Sequence, residues 1–300
     1  MLSVVIVAWN EEKNLPRAVS SVRKIADEIV VVVDEASTDD TATIAKKLKA
    51  KVFTHPHTGI VEPMRNYSIA KAQGDWILLL DADEEITSEL ANFIRKAVSG
   101  GKADYYRVPR KNLIFGEWIK SEHWWPDYVY RLFRKGRITW EDTVHSIPFT
   151  KGKGEDVPAK EDLAIVHHNY DSISQFIDRQ NRYTDFQAKE LINQGYSFAW
   201  SDVVTKPTSE FLRQYFARKG YTQGLHGLAL ALLMAFSEAT LYLKLWQQSG
   251  FVPVEVRLGQ LVALGKEQQH QTKWWLYQAK IDTAPWPVKL WWKLQRKLDH

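Results

Sequence analysis

The sequence predicts an α/β fold: a doubly wound, mostly parallel sheet over residues 1 to about 98, followed by a helical C-terminal extension. Three observations carry that prediction. Short β-branched apolar runs alternate with segments of helical spacing. Three of those runs end in polar residues, as strands do whose carboxyl ends form a binding edge. From Ser172 onward the apolar spacing becomes helical throughout.

The elements follow in order. Ser3 to Ala8 is a buried strand, and Trp9-Asn10-Glu11-Glu12 is the polar turn after it. Leu15, Ala18, Val19 and Val22 recur at helical spacing. Glu28 to Val33 is a second strand ending at Asp34. Ser37 to Thr41 supplies capping residues for the next helix. Lys51 to Thr54 is a third strand. Pro63-Met64-Arg65-Asn66 opens a helix that Gly74 stops. Trp76 to Leu80 then reads as a fully buried strand with Asp81-Ala82-Asp83 at its end. In extended chain, residues two apart face one side. Both carboxylates, with no basic residue beside them, would then share one point, a geometry that suits Mg²⁺ or Mn²⁺ completed by substrate phosphates. The competing reading is a solvated acidic turn.

Composition narrows the classes. The 300 residues are 45% hydrophobic, ample for a core. There is no cysteine, hence no disulfide or thiol chemistry. A net charge of +4 is too mild to argue for nucleic acid. The N-terminus has neither the basic start nor the length of a signal peptide. No GxGxxG or GxxxxGK[ST] occurs, so phosphates must be met by a metal and by a cation such as Arg65. A nucleotide-diphosphate is the natural ligand.

These blocks resemble a known family. Ser3 to Glu12, Val31 to Asp39 and Gly74 to Asp83 are similar to the inverting GT-A glycosyltransferases of family 2, in order and spacing. Trp124 to Arg134, Val144-His145, Phe216 to Gly220 and Gly224 to Gly227 resemble a bacterial subgroup, the WaaE-like or KdtX-like proteins, which add sugars to the lipopolysaccharide core. The resemblance implies a Rossmann-like GT-A catalytic domain over residues 1–170. It implies that Ala8, Trp9 and Asn10 line the base pocket and that Asp34 contacts the base. Arg65 would lie near the diphosphate or base, Asp81 on the ribose and sugar side, and Asp83 on the metal. Asp81 and His145 are further metal candidates; Ser146 stands where the subgroup has glutamate, which weakens the motif around His145.

An inverting transfer needs a general base on the acceptor side. Asp127 is the first candidate, with Glu141 and Asp142 as alternatives. The competing reading of Asp127 is a helix N-cap before Tyr128. His167 and His168 read as structural groups or acceptor contacts. Lys151 to Pro158 is a polar hairpin or a mobile loop near the acceptor.

Past residue 170, Ile173, Phe176, Ile177, Tyr183 and Phe186 are spaced for one helical face, and Pro207 starts another helix. Residues 225–245 are the most apolar stretch, yet Glu238 and Lys244 leave it short of the ~18 uncharged residues of a membrane span. The region 171–248 therefore reads either as an interfacial membrane segment or as core helices. The tail 249–300 is rich in tryptophan and lysine, which suits a bilayer surface. The expected protein is a glycosyltransferase taking a nucleotide-diphosphate sugar (UDP- or ADP-linked) to a glycolipid. It would sit on the cytoplasmic membrane's inner face, touching lipid through residues 207–248 and 273–297, with no nucleic acid partner. Transfer to a polyprenyl phosphate and a degenerate membrane scaffold are the alternatives.

Overall fold

The computed structural model describes residues 1–59, 61–141 and 147–298. The chain forms two compact units, residues 1–113 with 124–169 and residues 114–123 with 170–300.

The first unit begins with β1 (Leu2–Ala8), α1 (Leu15–Val22), β2 (Glu28–Asp34), α2 (Thr41–Lys47), β3 (Lys51–His55), α3 (Glu62–Lys71) and β4 (Trp76–Asp81). It continues with β5 (Glu84–Ile86), α4 (Ser88–Gly100), β6 (Tyr105–Ile114) and, after the two-residue β7 (Glu117–Trp118) of the second unit, β8 (Asp127–Arg134). The short β9 (Ile138–Thr139), β10 (Phe149–Thr150) and β11 (Gly154–Asp156) lead to β12 (Ile165–Tyr170). The main sheet runs β3-β2-β1-β4-β8-β6-β12-β5. Its first four strands are parallel. β8 enters antiparallel to both β4 and β6. This is the expected α/β sheet of GT-A type, with an antiparallel half added to the parallel one.

The parallel strands are apolar on both faces because both faces are covered. Val4, Ile6, Leu78 and Leu80 pack with α1 and α4, while Val5, Val7, Ile77 and Leu79 pack with Met64 and Ile69 of α3. At β8 the pattern changes. Tyr106 faces Leu132 but Arg107 faces Tyr130, so Arg131 is the extra residue of a β-bulge. A bulge re-aims the side chain it carries. Arg131 is thereby sunk beside Leu132 and Phe133 at 2% exposure.

Asp127 opens a strand, not a helix, so the N-cap reading is corrected. Residues 151–156 likewise do not form a hairpin on themselves: β11 pairs with β6 in parallel.

The second unit contains α5 (Ile173–Asn193), α6 (Asp202–Leu212), a π-helical turn at Arg213–Ala217, α7 (Gly224–Gln248), α8 (Leu258–Thr283) and α9 (Trp286–Leu298). Pro207 lies inside α6, five residues after its start, instead of opening it. On α5 the buried positions are Phe176, Thr184 and Ala188, whereas Ile173 and Ile177 are exposed. Gly227 has to be glycine, since a Cβ there would stand 1.9 Å from the Gly220 carbonyl oxygen. Residues 220–248 are long and apolar enough to cross a membrane, with a third of the most apolar window buried. The expectation that this stretch falls short is corrected. Its two charges are accommodated within the unit: Lys244 pairs with Asp185 at 2.7 Å, and burial pushes the Glu238 carboxyl up.

Candidate functional site

Three expected residues stand at the carboxyl ends of parallel strands. Ala8 ends β1, Asp34 ends β2 and Asp81 ends β4, with Val7 in register with Asp81 and Ala8 with Val33. The turn after β1 is knitted to the turn after β2. Asn10, at φ +56°, accepts the Thr38 N–H at 2.8 Å, and the Trp9 indole reaches the Ala36 carbonyl at 3.4 Å. Asp34 accepts the Ala36 N–H at 2.8 Å and meets His57 Nδ1 at 2.9 Å. The His57 ring lies 5.1 Å from that of Trp9. Trp9, Asp34 and His57 thus form one aromatic and acidic rim, of which the sequence reading found two members.

The end of β4 is different. Ala82 and Asp83 form a turn, so the two carboxylates are not in extended chain and meet different partners. The expectation that no basic residue stands beside them is corrected. Asp81 receives Arg65 Nη2 at 3.2 Å on both oxygens, and it is paired with Arg131. Glu84, fully buried, accepts Arg131 at 2.7 Å and lies 3.4 Å from Arg110; its second oxygen accepts the Asp81 N–H at 3.0 Å. Arg110 continues to Asp127 at 2.6 Å. Burial by itself would raise the Asp81 carboxyl, but Arg131, Arg65 and Arg110 together hold it far below the usual carboxylate range. Burial works against Arg131 too, and Asp81 and Glu84 overcome it, pushing its guanidinium well above the usual value.

Among the described residues, Asp127 is gripped on one side only. Arg110 Nε at 2.8 Å, Arg110 Nη2 at 2.6 Å and Asn112 Nδ2 at 3.1 Å all converge on Oδ2. The carboxylate is about one quarter exposed. A carboxylate with one oxygen fixed by three N–H donors is oriented, and its other oxygen can take a proton from a ligand. Asp83 lies 3.5 Å from His167 Nε2, and the His168 N–H donates to the Asp83 carbonyl at 2.9 Å.

Among the described residues no group of three or more His, Asp or Glu side chains could hold a metal ion. One carboxylate oxygen and one imidazole nitrogen nevertheless suit a divalent cation whose shell is completed by water and substrate phosphates. Asp83 and His167 are that pair, whereas the oxygens of Asp81 face guanidinium groups. Glu141 is exposed just after Trp140. Asp142 and His145 lie outside the described residues.

Sequence reasoning missed Glu84, Arg110, Asn112 and His57 as site members, and it left Arg131 without a partner. The available signal was charge within strands: Arg110 and Asn112 are two apart on β6, and Arg131 precedes two large apolar residues on β8.

Comparison with known proteins gives the family. A family description, glycosyl transferase family 2, matches residues 3–152. An uncharacterized glycosyltransferase of Rickettsia typhi is 32% identical over 246 residues, 79% of this chain and 83% of that protein. The lipopolysaccharide core biosynthesis glycosyltransferase LpsC of Rhizobium meliloti is 24% identical over 82% of this chain and 92% of its own. The crystal structure of residues 1–349 of TarS from S. aureus aligns with a TM-score of 0.42 at 14% identity, over 86% of this chain and 94% of that one. The family match spans every member of the ion network except His167, and the chain is a glycosyltransferase enzyme belonging to glycosyl transferase family 2.

Proposed function

We propose that this enzyme is a metal-dependent, inverting transferase that moves a sugar from a nucleotide-diphosphate donor, UDP- or ADP-linked, to a glycolipid such as the lipopolysaccharide core. One observation carries the reading. Three guanidiniums (Arg65, Arg110, Arg131) are set against three carboxylates (Asp81, Glu84, Asp127) at one sheet edge, with Asp83 and His167 next to them. Counted with Asp83, the carboxylates of this group outnumber its guanidiniums by one. Such a cluster repels a diphosphate unless a cation joins it.

The residues take these roles. Ala8, Trp9, Asn10 and Asp34 receive the base, with His57 added to the set. Arg65 and Asp81 face the diphosphate and sugar side. Asp83, with His167, holds Mg²⁺ or Mn²⁺, which when bound supplies positive charge opposite the leaving diphosphate. Asp127 takes the proton of the acceptor hydroxyl as its oxygen bonds to the anomeric carbon and the bond to the diphosphate breaks. The similarity to LpsC supports a core oligosaccharide acceptor.

Membrane contact is part of the proposal, on the inner face of the cytoplasmic membrane and through residues 207–248 and 273–297. On α9, Trp286, Leu290, Leu294 and Leu298 are exposed at four-residue spacing, and Lys289, Lys293 and Lys297 flank them. That is the pattern of a helix lying in an anionic interface.

Calorimetric titration with UDP-, ADP-, GDP- and dTDP-sugars, with Mn²⁺ and with EDTA, tests the donor side. One donor should bind only with metal, and Asp83→Ala should abolish that binding. Binding indifferent to EDTA and to the substitution would sink the metal reading. Flotation with phosphatidylglycerol vesicles tests the lipid side. The chain should float, and Lys289→Glu with Lys293→Glu should weaken it by about 1 kcal/mol per lysine, plus repulsion. A chain that stays at the bottom of the gradient rules the membrane contact out.

A further inference from the structure

Asn112 is buried, sits mid-sheet on β6, and has three polar partners in two directions. Its Nδ2 donates to the Trp124 carbonyl at 3.0 Å and to Asp127 Oδ2 at 3.1 Å. Its Oδ1 stands 2.7 Å from His167 Nδ1. Both partners of the amide nitrogen are acceptors, so the orientation of the amide is fixed. Oδ1 therefore faces His167, and the imidazole carries its hydrogen on Nδ1. In the neutral ring, Nε2 then presents its lone pair toward Asp83 Oδ2, 3.5 Å away. Two acceptors face each other there, an arrangement suited to a cation between them.

We infer that Asn112 is a positioning residue that fixes two groups at once: the proton-accepting carboxylate of Asp127 and the His167 tautomer that leaves Nε2 open beside Asp83. One amide thereby ties the acceptor side of the reaction to the donor side. The inference rests on the proposed roles of Asp127 and Asp83. It adds that neither group is set correctly without Asn112, which is itself fully buried.

Two substitutions separate the two duties. Asn112→Asp removes the Nδ2 donors and places a carboxylate against Asp127, yet it keeps an acceptor for His167 Nδ1. Asn112→Leu removes both. Mn²⁺ affinity is read by electron paramagnetic resonance in the presence of UDP. Turnover is read as nucleoside diphosphate released from the sugar donor that calorimetry identifies. Asn112→Asp should hold Mn²⁺ within about threefold of wild type while turnover falls about 100-fold. Asn112→Leu should lose about tenfold or more in Mn²⁺ affinity as well. Nitrogen-15 NMR of the wild type should show His167 protonated at Nδ1. A deprotonated Nδ1 overturns the inference whatever the variants do. So does equal loss of metal affinity in both variants, or wild-type behaviour in either. Asp127→Asn and Asp83→Ala run alongside. If they fail as proposed while the Asn112 variants behave as wild type, only this inference falls. If they themselves behave as wild type, the underlying roles fall.

Discussion

The two ends of the same parallel strands each bury a charged cluster, and the clusters are built on opposite principles. At the amino end, Glu28 opens β2 in register with Ser3. One of its oxygens accepts the Ser3 hydroxyl at 2.5 Å and the Gln73 N–H at 2.8 Å, and the other meets Lys51 at 2.6 Å. Ser3 in turn accepts the Gly74 N–H at 2.8 Å. Gly74 permits that closeness, since a Cβ there would lie 2.7 Å from the Ser3 hydroxyl. One carboxylate meets one cation and neutral donors, and the knot is closed. At the carboxyl end, Asp81, Glu84 and Asp127 share three guanidiniums, Asp83 stands beside His167, and the Nε atoms of Arg65 and Arg131 are buried with no hydrogen-bond partner among the described residues. The first cluster fastens the sheet. The second holds several buried charges against one another and leaves guanidinium Nε atoms unmet among the described residues, as suits a site for a charged ligand.

The sharpest way to break this comparison is Arg131→Met. Arg131 joins Asp81 to Glu84 from a position that is 2% exposed. Removing it leaves fully buried Glu84 with the Asp81 N–H at 3.0 Å and, as a cation among the described residues, Arg110 at 3.4 Å. Breaking a buried pair on one side costs about 3–5 kcal/mol. Urea denaturation should show that loss, together with weakened donor binding. A loss under about 1 kcal/mol would mean that Arg65 and Arg110 balance the cluster without it, and that the carboxyl end is as self-contained as the amino end.

The parallel half of the first unit was legible because its signals are local. Residues such as Val4, Ile6, Val31 and Leu79 form short apolar runs, and both faces of a parallel sheet are buried, so the runs themselves mark the strands. Asp34, Asp81 and Asp83 could be read because they end those runs. What sequence could not supply is register between distant strands. Arg131 reaches Asp81 only because a bulge on β8 shifts its pairing with β6, and nothing local announces a bulge. Asn112 and His167 are 55 residues apart and meet through sheet order alone. Pro207 was misread because a proline is a better helix opener than interior residue, yet α6 is held by its packing against α7 despite it. In the second unit, exposed Ile173, Ile177, Leu232 and Phe236 show that an apolar face at helical spacing need not be a buried one.

The smaller test works at the amino end. Glu28→Gln keeps the shape and removes the charge that draws Lys51, Ser3 and the Gln73 N–H together. Hydrogen bonds to a charged group are worth about 1.5–3 kcal/mol, so stability at neutral pH should fall by that amount, with donor binding unchanged. The pH dependence identifies the cause. Burial tends to raise the Glu28 carboxyl, but Lys51, Ser3 and the Gln73 N–H together hold it below its ordinary 4.5. The folded chain therefore binds fewer protons here than the unfolded chain, and stability rises with pH across that interval. The Glu28 contribution is complete above 4.5 and is lost as pH falls through the lower folded value. The gap between wild type and Glu28→Gln should accordingly be widest near neutrality and close on acidification below 4.5. Asp81 acts with the same sign, but it is held so much lower that its share is lost only in stronger acid, and the two clusters separate along the pH axis. A gap that stays constant from pH 7 to pH 3 would show that Glu28 stabilises the sheet through shape alone, and the contrast between a charged knot and a charged site would lose its amino-terminal half.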